Sequence, residues 1–384
     1  MMFRRWASRI TLPERKHWKK LLPPLAILAA IFALQALAGF APQLVERFYS
    51  RGLFPFIARA FSFASLSSFS LAEFFLVPLV VALIAWLAWL TRQLYILRSE
   101  AGATLLSALA TLLWAAAIVS ALFMLLFGLN YKRQQLADTL RFERREPNAQ
   151  EIEWISRTVI EAINSNYSES SLSVEGGGGV RSPLSPAQLL AMLEEAYESE
   201  PLLRGAVGAK VQPKAVYFSG MMSRLGISGI YSPFTGEPNY NAIQPGFDIP
   251  FSVAHEMAHQ RGFAREDEAN FVAFLVCTKA SHPYVRYSGY LGALRVLGVL
   301  YRVAPERYRE TVAGIGEGPR ADLKARGQFW ARYRGRLSDF SNSLNNVYLK
   351  VNGIRSGVRN YDEASSLIVG HYLKQAAASR AADH

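Results

Sequence analysis

The sequence predicts an α+β protein: an N-terminal three-helix transmembrane region over residues 1–131, then a mostly helical domain with a small antiparallel sheet over residues 132–384. Three observations predict this. Apolar runs at about 21–45, 71–91 and 101–131 carry almost no charge. Beyond residue 131 the composition becomes that of a water-soluble domain with helical periodicity. One stretch, 214–243, is instead β-branched, aromatic and punctuated by glycine.

The composition narrows the function classes. The chain is 51% hydrophobic with a mean hydropathy of +0.10, and that average hides a first third far more apolar than the rest. The formal net charge is +12 and the pI near 9.8. Much of the positive charge flanks the apolar runs, so the lipid bilayer is the expected partner, and no nucleic-acid-binding motif is present. The single cysteine, Cys277, excludes an intrachain disulfide and reads as a small buried side chain.

The membrane region comes first. Residues 1–20 hold Arg4, Arg5, Arg9, Arg15, Lys16, Lys19 and Lys20, and the run after them is too long for the apolar core of a signal peptide. A span of about 20 apolar residues crosses a bilayer. Residues 46–70, rich in Phe, Arg and Ser, read as a segment at the membrane surface or a plain loop. Pro78 in the second run is tolerable in a membrane helix. The basic N-terminus argues for a cytoplasmic start, and three spans then place the later domain outside the cytoplasm. Arg47, Arg51 and Arg59 in the first loop, and Lys132 and Arg133 after the third run, pull the other way.

The second region follows in order. Residues 151–164 form an amphipathic helix with Ile152, Ile155, Val159 and Ile163 on one face. The glycines at 176–179 form a loop with no phosphate-binding context. Ser185 caps a helix over 186–198. Short strands are expected near 215–219, 229–232 and 239–243, with the turn between the last two at 233–238. After Cys277 the segments 287–302 and 321–351 are helical, and 353–361 is a loop.

The chemistry concentrates in residues 250–277, where His255-Glu256-Met257-Ala258-His259 forms an HExxH motif. Residues four apart share a helix face, so His255 and His259 can offer two imidazoles to one metal ion. Glu256 stands where a general base is needed. Such a motif arises by chance in on the order of one chain in a hundred, so its setting matters. Pro250 suits a helix start and Gly262 the position just past a helix end. In a second helix from about 265, Glu266, Ala269, Asn270, Ala273 and Cys277 form one stripe. Glu266 is the expected third ligand, with Asn270 bonding a ligand histidine from behind. Glu268 is the rival ligand, and a solvated acidic helix start is the plain reading of both.

This arrangement resembles the gluzincins, zinc peptidases with two histidines and a glutamate as ligands. Glu266-Asp267-Glu268-Ala269-Asn270 matches their ExEA(D/N) helix, although seven positions between His259 and Glu266 is a short gap. Arg265 occupies the place of the third histidine of metzincins. The resemblance implies a zincin-like metallopeptidase domain, Zn2+ as cofactor, a peptide or protein substrate, and an edge strand over the cleft. The phrases ISGIYSPFTGEPN, HEMAHQRGFAREDEANF and RYSGYL also resemble an uncharacterised group of bacterial membrane proteins. That likeness implies a membrane-tethered zinc peptidase of bacteria, and the positive-inside reading then puts the domain on the outer face of the cytoplasmic membrane. Two readings stay open: a membrane-anchored zinc endopeptidase, and a non-catalytic sensor or assembly factor that keeps the metal for stability. Arg359, Tyr361 and His371 are further candidates for stabilising an oxyanion.

Overall fold

The computed structural model describes residues 14–143, 145–169, 182–203, 211–357 and 360–382. Three apolar helices lead the chain: α1 (Leu22–Phe40), α2 (Leu71–Ile96) and α3 (Ala101–Leu126). Each is long and apolar enough to cross a bilayer. Their limits differ from the expected ones. Ala41 leaves helical geometry ahead of Pro42, since the residue before a proline avoids the α conformation, and α1 ends there rather than at 45. The second helix carries Arg92 within it and runs on to Ile96. The third stops at Leu126, where Phe127 turns into a tight helical turn over Gly128–Lys132.

Residues 45–66 between α1 and α2 are neither a plain loop nor a segment wholly given to a surface. They form a helical strap, Val45–Leu53, Phe54–Ala60 and Phe61–Leu66. Tyr49, Phe54 and Ala58 are buried in a cluster with Phe127, Tyr231, Ala264 and Leu349. Phe48, Phe56 and Leu66 on the other side stay exposed. This cluster draws on both sides of residue 131, so the two regions pack together.

The rest of the chain builds on a larger core. α4 (Ala149–Glu169) buries Ile152, Ile155, Val159 and Ile163 completely, each worth about 1.5–3 kcal/mol relative to exposure. The α5 helix (Pro186–Ser199) starts with Ser185 and Gln188 capping each other. The 176–179 loop lies outside the described residues.

A three-stranded sheet follows, in the order β1 (Lys214–Val216), β3 (Glu237–Asn241), β2 (Gly229–Ser232). It is mixed, not antiparallel: β1 runs parallel to β3, and β2 antiparallel to it. The expected strand at 215–219 ends early because α6 (Ser219–Leu225) begins there. This helix reverses the chain between β1 and β2, and the 233–236 turn reverses it again, so β1 and β3 point the same way. Pro238 is tolerated in the middle strand because it faces Tyr231 and lies before the pairing with β1, which starts at Asn239.

Two helices form the centre, α7 (Ile249–Gln260) and α8 (Glu266–Lys279). α8 is buried from Glu266 to Cys277 on every face, so the expected stripe of Glu266, Ala269, Asn270, Ala273 and Cys277 is one side of a fully enclosed helix. Behind it, α9 (Pro283–Ala293) approaches closely through Gly289, where a Cβ would fall 2.6 Å from the Cβ of Cys277. The segment expected at 287–302 is split between α9 and α10 (Val296–Val303). After α11 (Pro305–Ala313), the segment expected at 321–351 is likewise two helices, α12 (Glu317–Tyr333) and α13 (Arg336–Val351), parted at Gly335. α14 (Asn360–Ala382) closes the chain.

The sheet is tied to the start of α2. The buried Glu237 carboxylate accepts the backbone N–H groups of Leu71 and Ala72 at 3.0 and 2.9 Å. Glu73 accepts those of Tyr217 and Phe218 at 2.8 and 2.7 Å. Both satisfy backbone donors with charge-assisted bonds.

The turn between α7 and α8 is set by Gly262, which has a φ of +82°. Its N–H bonds the His259 carbonyl at 2.9 Å, and the Phe263 N–H returns to Ala258 at 3.1 Å. A Cβ there would also meet Phe54 at 3.1 Å. We predict that Gly262→Ala destabilises the fold by about 1–2 kcal/mol or more, from the positive φ alone, read as a lowered unfolding midpoint of the solubilised protein.

Candidate metal centre

α7 and α8 bring His255, His259 and Glu266 together in a buried space. Among the described residues this is the one group of three or more such side chains close enough to share a metal ion. The two Nε2 atoms are 3.0 Å apart. Glu266 Oε2 lies 3.1 Å from His255 Nε2 and 3.6 Å from His259 Nε2.

Each imidazole is oriented from behind. His255 Nδ1 is 3.2 Å from Asn270 Oδ1, and His259 Nδ1 is 2.7 Å from the Phe263 carbonyl. A carbonyl oxygen only accepts, so both Nδ1 atoms carry a proton, and in the neutral ring each Nε2 keeps the lone pair. The turn at Gly262 supplies the second of these acceptors, because folding back onto Ala258 places the Phe263 carbonyl under His259.

These donors fit a small divalent cation. Tetrahedral ligands at about 2.0–2.2 Å from zinc stand about 3.3–3.6 Å apart, and the observed separations are 3.0, 3.1 and 3.6 Å, so a small outward shift of two donors admits the ion. Glu266 Oε2 is buried and faces only the two histidine nitrogens. The electrostatics point the same way. Burial alone would lower the His259 imidazole, but Glu266 and Glu256 outweigh it and push it up to about 9. Burial would raise the Glu266 carboxyl, yet the two histidines hold it well below the usual range. The space therefore favours positive charge facing one carboxylate.

Glu256 sits beside this group, buried, with its carboxyl pushed up mainly by burial. It accepts the backbone N–H of Tyr231 on β2. Gly229, two residues earlier, leaves room for it: a Cβ there would fall 2.5 Å from Glu256 Oε1. Sequence reasoning missed this role for Gly229, although a glycine inside a strand is a signal of close approach.

The rival Glu268 points elsewhere. Its Oε1 accepts the Leu136 N–H at 2.7 Å, and Arg265 lies near it at 3.8 Å. Nor is the acidic start of α8 solvated, since Glu266, Asp267 and Glu268 are all buried. Cys277 is fully buried, and burial pushes its thiol up.

The oxyanion candidates are not placed at the site. His371 packs among Phe142, Phe271, Phe274 and Tyr372, where burial lowers it to about 4. Arg359 and the side chain of Tyr361 lie outside the described residues. Three aromatic residues that sequence reasoning passed over border the site instead. Phe127, just past α3, meets the His259 ring edge-on at 6.2 Å. The Tyr131 hydroxyl bonds that of Tyr348 at 3.1 Å. Burial raises the Tyr348 phenol, and the Glu266 carboxylate adds to the rise. Nothing local in the sequence joins residues so far apart.

A family profile described as "Protein of unknown function (DUF3810)" matches residues 49–369. The chain belongs to this family. The DUF3810 match takes in most of the strap, α2, α3, the sheet and all of the candidate metal-site side chains, and it brings no activity with it. No curated protein and no solved structure matches the chain.

We predict about one divalent metal ion per purified chain, lost on His255→Ala, His259→Ala or Glu266→Ala and kept on Glu268→Gln. Asn270→Ala should weaken metal affinity about 10–100-fold, as loss of a histidine-orienting partner does elsewhere. Elemental analysis and competition with a chromogenic chelator check both.

Proposed function

We propose that this chain is a membrane-anchored, zinc-dependent metallopeptidase, gluzincin-like in its ligand set. α1, α2 and α3 are its membrane spans. The domain lies on the outer face of a bacterial cytoplasmic membrane, in keeping with the basic residues before α1. The observation that carries the reading is the placement of Glu256. A metal kept only for stability needs two histidines and a glutamate; it does not need a second buried carboxylate alongside.

The roles divide as follows. His255, His259 and Glu266 would hold the zinc, which when bound supplies Lewis-acid polarisation of water and of the scissile carbonyl. Glu256 takes the proton of the attacking water on its carboxylate and delivers it to the leaving amine nitrogen. Its raised proton affinity, caused by burial, suits both halves of that transfer. Asn270 and the Phe263 carbonyl keep the two imidazoles in the correct tautomer.

The substrate class follows from the strand beside the carboxylate. β2 is an edge strand, and Tyr231 and Pro238 form a non-hydrogen-bonded pair, so the Tyr231 N–H points away from β3, toward Glu256. The outward main-chain groups of this edge that Glu256 leaves open can hydrogen-bond an extended peptide laid along it.

We predict that Glu256→Gln keeps the metal but lowers peptide hydrolysis by about 10²–10⁴-fold, the usual contribution of a positioned general base. Gly229→Val should also spare the metal and lower turnover, because its side chain occupies the carboxylate's place. A metal-loaded wild type that cleaves nothing across a broad set of unfolded and membrane-protein substrates would favour the sensor or assembly role instead.

A further inference from the structure

The helix α13 carries an exposed apolar face that the domain does not use. Leu337, Phe340, Leu344, Val347 and Val351 recur at helical spacing and stand well exposed, Phe340 at 59%. Ser338 and Leu349 turn the other way and are buried. The polar remainder of the helix, Asp339, Ser343 and Lys350, forms a third sector. A helix with one face in the protein, one in water and one apolar face unpaired needs a third environment.

Two contacts fix where that face lies. The Tyr348 ring sits 5.9 Å from Phe123, which belongs to the last turn of α3. So α13 packs beside the last turn of the apolar helix, where Leu122 and Leu125 are exposed as well. The second contact is independent. Tyr217 and Phe218, held by Glu73 at the first turn of α2, are exposed at 86% and 53%. Exposed aromatic side chains at the end of a membrane helix are characteristic of the headgroup level. Exposed basic residues flank the apolar face at both ends, Arg334 and Arg336 before it and Lys350 and Arg355 after it.

We infer that α13 lies in the membrane interface, its Leu337–Val351 face buried in the acyl boundary of one leaflet and its flanking arginines and lysine at the headgroups. The inference rests on the reading of α1 to α3 as membrane spans, and it stands whether or not the site hydrolyses anything. Its consequence is positional. Tyr348 is on this helix, its hydroxyl bonds that of Tyr131, and Tyr131 packs on Phe127, whose ring meets His259, so the metal centre lies close to the bilayer surface. Polypeptides held at that surface are then the ones that reach it.

The test uses the full chain in vesicles of phosphatidylcholine with a minor share of phosphatidylglycerol. Cys277 is fully buried, so nitroxide labels can be placed singly on the native background. Labels go on Leu344→Cys and Val347→Cys, on Asp339→Cys and Ser343→Cys, and on Ile84→Cys in α2 as the lipid reference. Collisions with oxygen and with a water-soluble nickel chelate are measured, on variants that keep the wild-type melting midpoint. The expected result is an oxygen-to-nickel ratio at 344 and 347 several-fold above that at 339 and 343, and close to that at 84. A ratio at 344 and 347 equal to that at 339 overturns the inference in favour of a solvated face. Protection from both reagents overturns it in favour of a protein contact, a second copy included. A nickel-accessible label at 84 overturns the span reading, and this inference with it.

Discussion

Two imidazole nitrogens 3.0 Å apart, each with its other nitrogen already committed to an oxygen, aim two lone pairs at one buried point. A buried carboxylate oxygen 3.1 Å from the His255 nitrogen faces the same point. Such an arrangement is repulsive unless positive charge sits within it. Everything around it holds it in place. The Schellman turn at Gly262 brings α8 back against α7 within the few residues between His259 and Glu266. From behind, Tyr197 donates to the Ala254 carbonyl, and Arg261 stacks over Tyr197 while pairing with Glu194. At the front, Ser288 accepts the N–H of Phe251 at the start of α7.

The same centre is built into the apolar helices. Arg133, just after α3, donates to the Gly262 carbonyl and to Glu46 in the strap. Glu237 holds the first turn of α2, and Gln260 at the end of α7 donates to Gly236 in the neighbouring turn. The C-terminal end of α1 and the strap meet the same cluster as Phe127 and Tyr231. The candidate metal centre, sheet and apolar helices therefore form one connected packing unit.

Much of this was legible in the sequence where the signal is local. The HExxH spacing, Gly262 as a helix stop, and the Glu266–Asn270 helical repeat each depend on residues within a turn or two. The structure brings those side chains together, and it turns Glu268 toward Leu136 instead. The capped start of α5 and the buried face of α4 were visible for the same reason. Strand direction was not, because α6 is short and sits in a stretch that reads as β-branched and glycine-rich. The break at Gly335 was hidden by apolar periodicity on both sides of it. Contacts such as Phe127 with His259, Tyr131 with Tyr348 and Gly229 with Glu256 join distant segments, and only the folded chain reveals them.

The most direct test of the central claim is X-ray absorption at the zinc edge of the full-length protein purified without added chelator. The account requires a four-coordinate zinc with two imidazole nitrogens and two oxygens at about 2.0–2.2 Å and no sulfur. A spectrum of hydrated zinc, or of zinc bound by sulfur or by a single imidazole, would contradict it.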